Sequence, residues 1–138
     1  DTLMLQKTSD STKSNLYMEM NRPFCICTDP IITTPVAKST YNTGDKIKAT
    51  MTVDNYKPVD IIFEVDSILD DDEYLLRPKY YPSLRYASIV KIKFENNSPL
   101  DDISFNTKGM TNAMKQSEKI CLSIFELEES EMKDTKNI

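Results

Sequence analysis

Apolar residues recur at every second position over several separate stretches of this chain. In Lys46–Val53, Ile47, Ala49, Met51 and Val53 fall on one side, while Lys46, Lys48, Thr50 and Thr52 fall on the other. A strand sends successive side chains to opposite faces, so this spacing predicts an antiparallel strand with one wet and one dry side. The pattern returns at Tyr86–Glu95, where Val90, Ile92 and Phe94 oppose Lys91, Lys93 and Glu95. Val59, Ile61, Phe63 and Val65 share a face within Val59–Ile68, as do Ile103 and Phe105 within Leu100–Asn106. Earlier in the chain, Leu16, Met18 and Met20 alternate with Tyr17 and Glu19, and Phe24–Cys27 forms a short apolar run. Turn residues at Tyr41–Asp45, Asp54-Asn55 and Asn96-Asn97 separate these stretches.

The remaining segments carry weaker signals. Residues 1–14 are rich in Ser, Thr, Asp and Lys and read as a flexible linker or tail. Asp29-Pro30 and Thr34-Pro35 bracket Ile31-Ile32 and suggest an irregular crossing, because each proline removes a ladder donor. Residues 69–85 read as a long connection, and a short helix is expected near 110–118. Over Lys119–Leu127, Ile120, Leu122 and Ile124 suit a strand, whereas Ala113, Ile120, Ile124 and Leu127 approach a helical stripe. The β-branched and aromatic content favours the strand. Residues 128–138 are expected to be an acidic, frayed tail. This leaves a β domain over 15–127 with about seven strands and no βαβ rhythm. The fold class expected is all-β: an immunoglobulin-like antiparallel β-sandwich, with a closed five-stranded barrel as its rival.

Composition narrows the setting. At 138 residues the chain suits one domain with its own core, and with only two glycines its turns must rely on Asn, Asp, Ser and Pro. A net charge of −5 weighs against general affinity for nucleic acid. No apolar run approaches the ~20 residues of a membrane-spanning helix, so direct membrane insertion is not expected. Cys25 and Cys27 lie one residue apart and point the same way on a strand, which disfavours a bridge between them. Two readings remain. Three reduced, buried cysteines imply a reducing compartment and a cytoplasmic protein, peripheral to membranes only through partners; this is the expectation. A bond from Cys25 or Cys27 to Cys121 leaves one free thiol and points to secretion.

Histidine, the commonest general base and metal ligand, is absent. No catalytic, cofactor-binding or metal-ligating set is therefore expected, and the protein is read as not being an enzyme. Cys25, Cys27 and Cys121 fall short of the four ligands of a structural zinc site. Asp70–Glu73 and Asp101-Asp102 lack the alternation of a calcium loop. The unusual composition lies at Tyr74–Tyr86, where four tyrosines interleave with three cations. Tyr and Arg are enriched at protein-interface hot spots and can also stack bases. Tyr74, Arg77, Lys79, Tyr80, Tyr81, Arg85 and Tyr86 are the candidate partner-binding residues; the plainer reading is an edge segment with half-buried tyrosines.

The stretch Ile89–Phe105, an alternating strand followed by Asn96-Asn97-Ser98-Pro99 and Asp102-Ile103-Ser104-Phe105, resembles the ear (appendage) sandwiches of vesicle-coat adaptors. Tyr41–Val53, with its aromatic and Gly44-Asp45 before the alternation, is similar to an arrestin-type opening strand. The resemblance implies a cytosolic adaptor module that docks peptides or coat proteins. The function expected is thus non-catalytic protein binding in an adaptor or assembly subunit of intracellular membrane traffic. The rivals are a barrel-type single-strand nucleic-acid module and a viral or secreted sandwich that captures host proteins.

Overall fold

A computed structural model describes residues 2–9, 12–21, 25–27, 29–36, 41–70 and 72–136. Among the described residues, nine strands run in chain order: β1 (Thr2–Thr8), β2 (Asn15–Asn21), β3 (Ile26–Cys27), β4 (Ile31–Pro35), β5 (Lys46–Val53), β6 (Val59–Leu69), β7 (Glu73–Lys79), β8 (Ile89–Phe94) and β9 (Ile103–Asn106). One helix among the described residues, α1 (Met110–Lys136), follows. The strands hydrogen-bond along one continuous path, β1-β2-β4-β7-β6-β5-β8-β9, with β3 attached to β2. Every pairing is antiparallel. At the two ends of the path, Lys7 Nζ on β1 donates to the carbonyl of Lys108 just past β9, at 3.2 Å. The sheet thus curls almost back onto itself.

Period-two hydrophobicity sets which face turns inward. β5 and β8 alternate buried and exposed residues along nearly their whole lengths. Their inward side chains, Ile47, Met51, Val90 and Ile92, join Phe63 and Val65 of β6, Tyr74 and Leu76 of β7, and Phe105 of β9 in one core. Phe63 and Phe94 pack with ring centroids 5.6 Å apart. Burying this set removes several hundred Å² of apolar surface from water, at roughly 25 cal/mol per Å².

Three segments depart from the sequence reading. The first is residues 2–8, which form strand β1 rather than a linker. Their connection to β2 is held by a chain of hydroxyls: Ser9 Oγ to Thr12 Oγ1, Thr12 Oγ1 to Ser14 Oγ, and Ser14 Oγ to Thr34 Oγ1, each 2.8 Å. Serines and threonines that suggest disorder by composition act here as buried partners for one another. The second is residues 31–35, an ordered strand between β2 and β7 rather than an irregular crossing. Pro30 precedes the strand and Pro35 ends it, where a missing donor costs little.

The third is the expected long connection of 69–85. β6 runs on to Leu69 and turns directly into β7, with Asp72 in the left-handed region at φ 59°. Leu69 pairs with Glu73, which puts Asp70 and Asp72 in the turn of a hairpin. Pro78 pairs with Phe63 of β6 but lies beyond the last rung shared with β4, so its absent N–H breaks no ladder on that side. A bulge between Val65 and Ser67 adjusts the register.

The helix is the largest correction. It spans 27 residues and absorbs both the strand expected at Lys119–Leu127 and the tail expected at 128–138. Gly109, at φ 88°, supplies the left-handed turn that leads into it. Among its described side chains the inward positions are Met110, Met114 and Cys121, close to helical spacing. Ile120 and Leu122, whose alternation suggests a strand, are about half exposed on the outside. Cys121 is bonded to Cys25, with Cα atoms 5.6 Å apart. This replaces the expectation of three reduced cysteines: the helix is tied covalently to the segment after β2.

Candidate functional site

The Tyr74–Tyr86 segment is divided by the fold among the core and three separate surfaces. Tyr74 belongs to the core, fully buried, with its ring edge-on to Tyr41 at 5.8 Å and its hydroxyl accepting from the Tyr41 backbone N–H at 3.1 Å. It cannot touch a partner, which corrects its assignment as a binding residue. A strand alternates, so an inward Tyr74 and Leu76 put Arg77 and Lys79 on the outer face.

There Arg77 Nε donates to Asp66 Oδ1 at 2.9 Å, and Lys79 Nζ meets Glu64 Oε2 at 2.9 Å. The hydrogen bond and charge of Lys79 hold the Glu64 carboxyl below the usual carboxylate range, and Glu64 raises Lys79 in turn. Both groups are open to solvent, so the pair orients side chains more than it stabilises the fold. Tyr80 follows in the left-handed region at φ 64°, and that backbone turn leaves it 78% exposed. It overhangs a groove of about 890 Å³ above β5, β6 and β8.

Tyr81 and Arg85 lie elsewhere, at a crevice of about 320 Å³ between the sheet and α1, walled by Met18, Met20, Leu84 and Met114 beside Cys25. The Tyr81 hydroxyl donates to Asp29 Oδ1. Burial, then this bond and the Asp29 charge, push the phenol up to about 12. Arg85 Nη2 stands 3.8 Å from Glu118 Oε2 on the helix, and its guanidinium lies 5.9 Å from the centre of the Tyr86 ring.

The Tyr81 shift fixes a sign. The folded protein holds the phenolic proton more tightly than the unfolded chain, whose tyrosines titrate near ~10. The stabilisation is complete below that pH and disappears as pH rises from about 10 towards 12. Over that interval the urea midpoint of the native protein is expected to fall relative to that of Tyr81→Phe. A constant gap would show that Tyr81 carries no shifted proton.

Tyr86 opens onto a feature that sequence alone did not single out. Asp54, at φ 50° in the turn after β5, accepts hydrogen bonds from the backbone N–H of Ser88 (2.8 Å) and Ile89 (2.9 Å). Its own N–H donates to the Ile89 carbonyl at 2.9 Å. These bonds fasten the 54–57 turn to the 85–89 turn. Tyr56 (75% exposed), Tyr86 (72%) and Ile89 are carried outward on the two turns. Asp54-Asn55 was legible as a turn, but its clamp spans 34 residues and leaves no local pattern.

Among the described residues, no three of His, Cys, Asp and Glu gather as metal ligands, and no helix is long and apolar enough to cross a membrane. No protein-family model matches the chain, and no curated protein or solved structure matches it either.

Proposed function

We propose that this chain is a non-catalytic, protein-binding β module, of the adaptor or assembly kind, and that it works where thiols are oxidised. The observation that carries the reading is the pair of clamped turns. Tyr56, Tyr86 and Ile89 leave large apolar area in water on a backbone that Asp54 holds rigid. Rigid exposed tyrosines beside an arginine have the composition of an interface hot spot, and they lose little conformational entropy on binding. Tyr86 of the expected segment belongs to this patch, and Arg85 reaches its ring from the neighbouring crevice; Tyr56 and Ile89 complete it.

The Cys25–Cys121 bond favours the secreted reading over the cytoplasmic traffic adaptor, because structural disulfides persist in oxidising compartments. A nucleic-acid module is disfavoured: Arg77 and Lys79 already meet carboxylates, and no phosphate-tracking groove of Arg and Lys remains in the segment. The immunoglobulin-like sandwich implied by the resemblance belongs to the same proposal, supported by one buried and one wet face along β5 and β8.

The test compares proteins captured by the immobilised chain and by its Tyr56→Ala/Tyr86→Ala variant, read by mass spectrometry. The native protein is expected to retain a defined partner that the variant loses, with the thermal midpoint unchanged. Identical capture by both proteins would remove the patch from the account.

A further inference from the structure

The crevice between the sheet and α1 concentrates sulfur. Of the five methionines buried among the described residues, Met18, Met20 and Met114 all line this one space of about 320 Å³. Met18 and Met20 stand two residues apart on β2, so strand alternation sends both thioethers to one face. Met114 meets them from near the start of α1. The bond from Cys25 to Cys121 ties the helix down beside them and keeps the two walls together.

Packing alone does not account for this composition. The buried positions of β5, β6, β8 and β9 are Ile, Val, Ala and Phe with a single methionine, Met51. Methionine usually serves a core by bending to fill an irregular gap. Here three methionines surround a gap that opens to solvent. Their long side chains, each with several rotatable bonds, can turn sulfur into that space without moving either wall.

The donors decide what fits. Calcium and magnesium take oxygen ligands, and zinc takes thiolate, imidazole or carboxylate. The chain has no histidine, and the sulfur of Cys25 is already bonded to Cys121. The one carboxylate on the crevice, Glu118, stands 3.8 Å from the guanidinium of Arg85, so the mouth carries no net charge to attract a hard cation. A neutral thioether is a soft donor, and among biological metals it selects Cu(I). We infer that Met18, Met20 and Met114 form a thioether site for one Cu(I) ion, which enters and leaves without changing its oxidation state. The site stands whether or not the tyrosine patch binds a protein.

The probe is Ag(I), a soft ion of the same charge that needs no reductant. It is titrated in nitrate buffer into the disulfide-intact Cys27→Ser protein, which removes the one cysteine outside the bond. One equivalent is expected to bind, and the methyl signals of Met18, Met20 and Met114 should move in spectra of methionine-labelled protein while that of Met51 stays. Met18→Leu/Met20→Leu/Met114→Leu keeps the apolar volume and removes the sulfur. It should weaken Ag(I) binding by more than the roughly hundredfold that outer-shell changes cost a metal site, while Met51→Leu leaves it unchanged. Circular dichroism verifies the fold of each variant, and the methyl spectra test the site in a chain that keeps all its methionines. Absence of binding, binding that survives the triple replacement, or an equal shift of Met51 would overturn the assignment. Displacement of Ag(I) by equimolar Zn(II) would overturn it as well.

Discussion

Tyr74→Ala is expected to destabilise the protein by about 3–5 kcal/mol, the range found for removing a large buried aromatic. Tyr74 is fully buried between neighbours on β6 and β4, packs edge-on against Tyr41, and accepts the Tyr41 backbone N–H. Deleting the ring opens a cavity and strands that N–H in a poorly hydrated site. Tyr74→Phe separates the two effects: it keeps the ring, removes the hydroxyl that accepts the Tyr41 N–H, and should cost about 1–2 kcal/mol. Urea unfolding of both variants checks the values. A cost for Tyr74→Ala within ~0.5 kcal/mol of zero, the range typical of surface positions, would mean that the tyrosine lies outside the core.

Replacing both Cys25 and Cys121 with alanine is expected to lower stability by about 4 kcal/mol. The bond closes a loop across a sequence separation of 96, and constraining so long a loop in the unfolded chain accounts for that magnitude. Beyond this global loss, one region should loosen further. Past Met110 and Met114, Cys121 is the one described helix position buried in the satellite cluster with Met20 and Cys25. Without the bond, amides of β5–β8 that exchange through global unfolding should lose protection only by that global amount, while those in the second half of α1 should fall further, to the protection of a solvated helix. Hydrogen exchange reads this directly. Equal loss of protection across helix and sheet would show that the bond acts on the whole fold and not as a local tether.

How far the chain could be read in advance depended on whether each element's information was local. β5, β6 and β8 were legible because each has one buried face and shows it by alternation within its own span. β7 was not, although Tyr74, Leu76 and Pro78 alternate correctly: an acidic turn, a proline and two cations masked the strand. The helix is hidden in the sequence because Ile120 and Leu122 imitate strand spacing on its exposed side, while its described inward residues are two methionines and a cysteine. For the candidate site, composition marked Tyr74–Tyr86 as unusual but not how the fold divides it. That division follows from strand alternation at Arg77 and Lys79 and from the left-handed Tyr80. The Asp54 clamp and the disulfide join positions 34 and 96 residues apart, and no periodicity encodes such pairs.

The proposed oxidising setting and the tether of α1 both rest on the covalent link between Cys25 and Cys121. Peptide mapping of the protein, alkylated without reduction and then digested, tests it. The account predicts a cross-linked fragment joining Cys25 to Cys121, with Cys27 alkylated as the single free thiol. Alkylation of all three cysteines would contradict it.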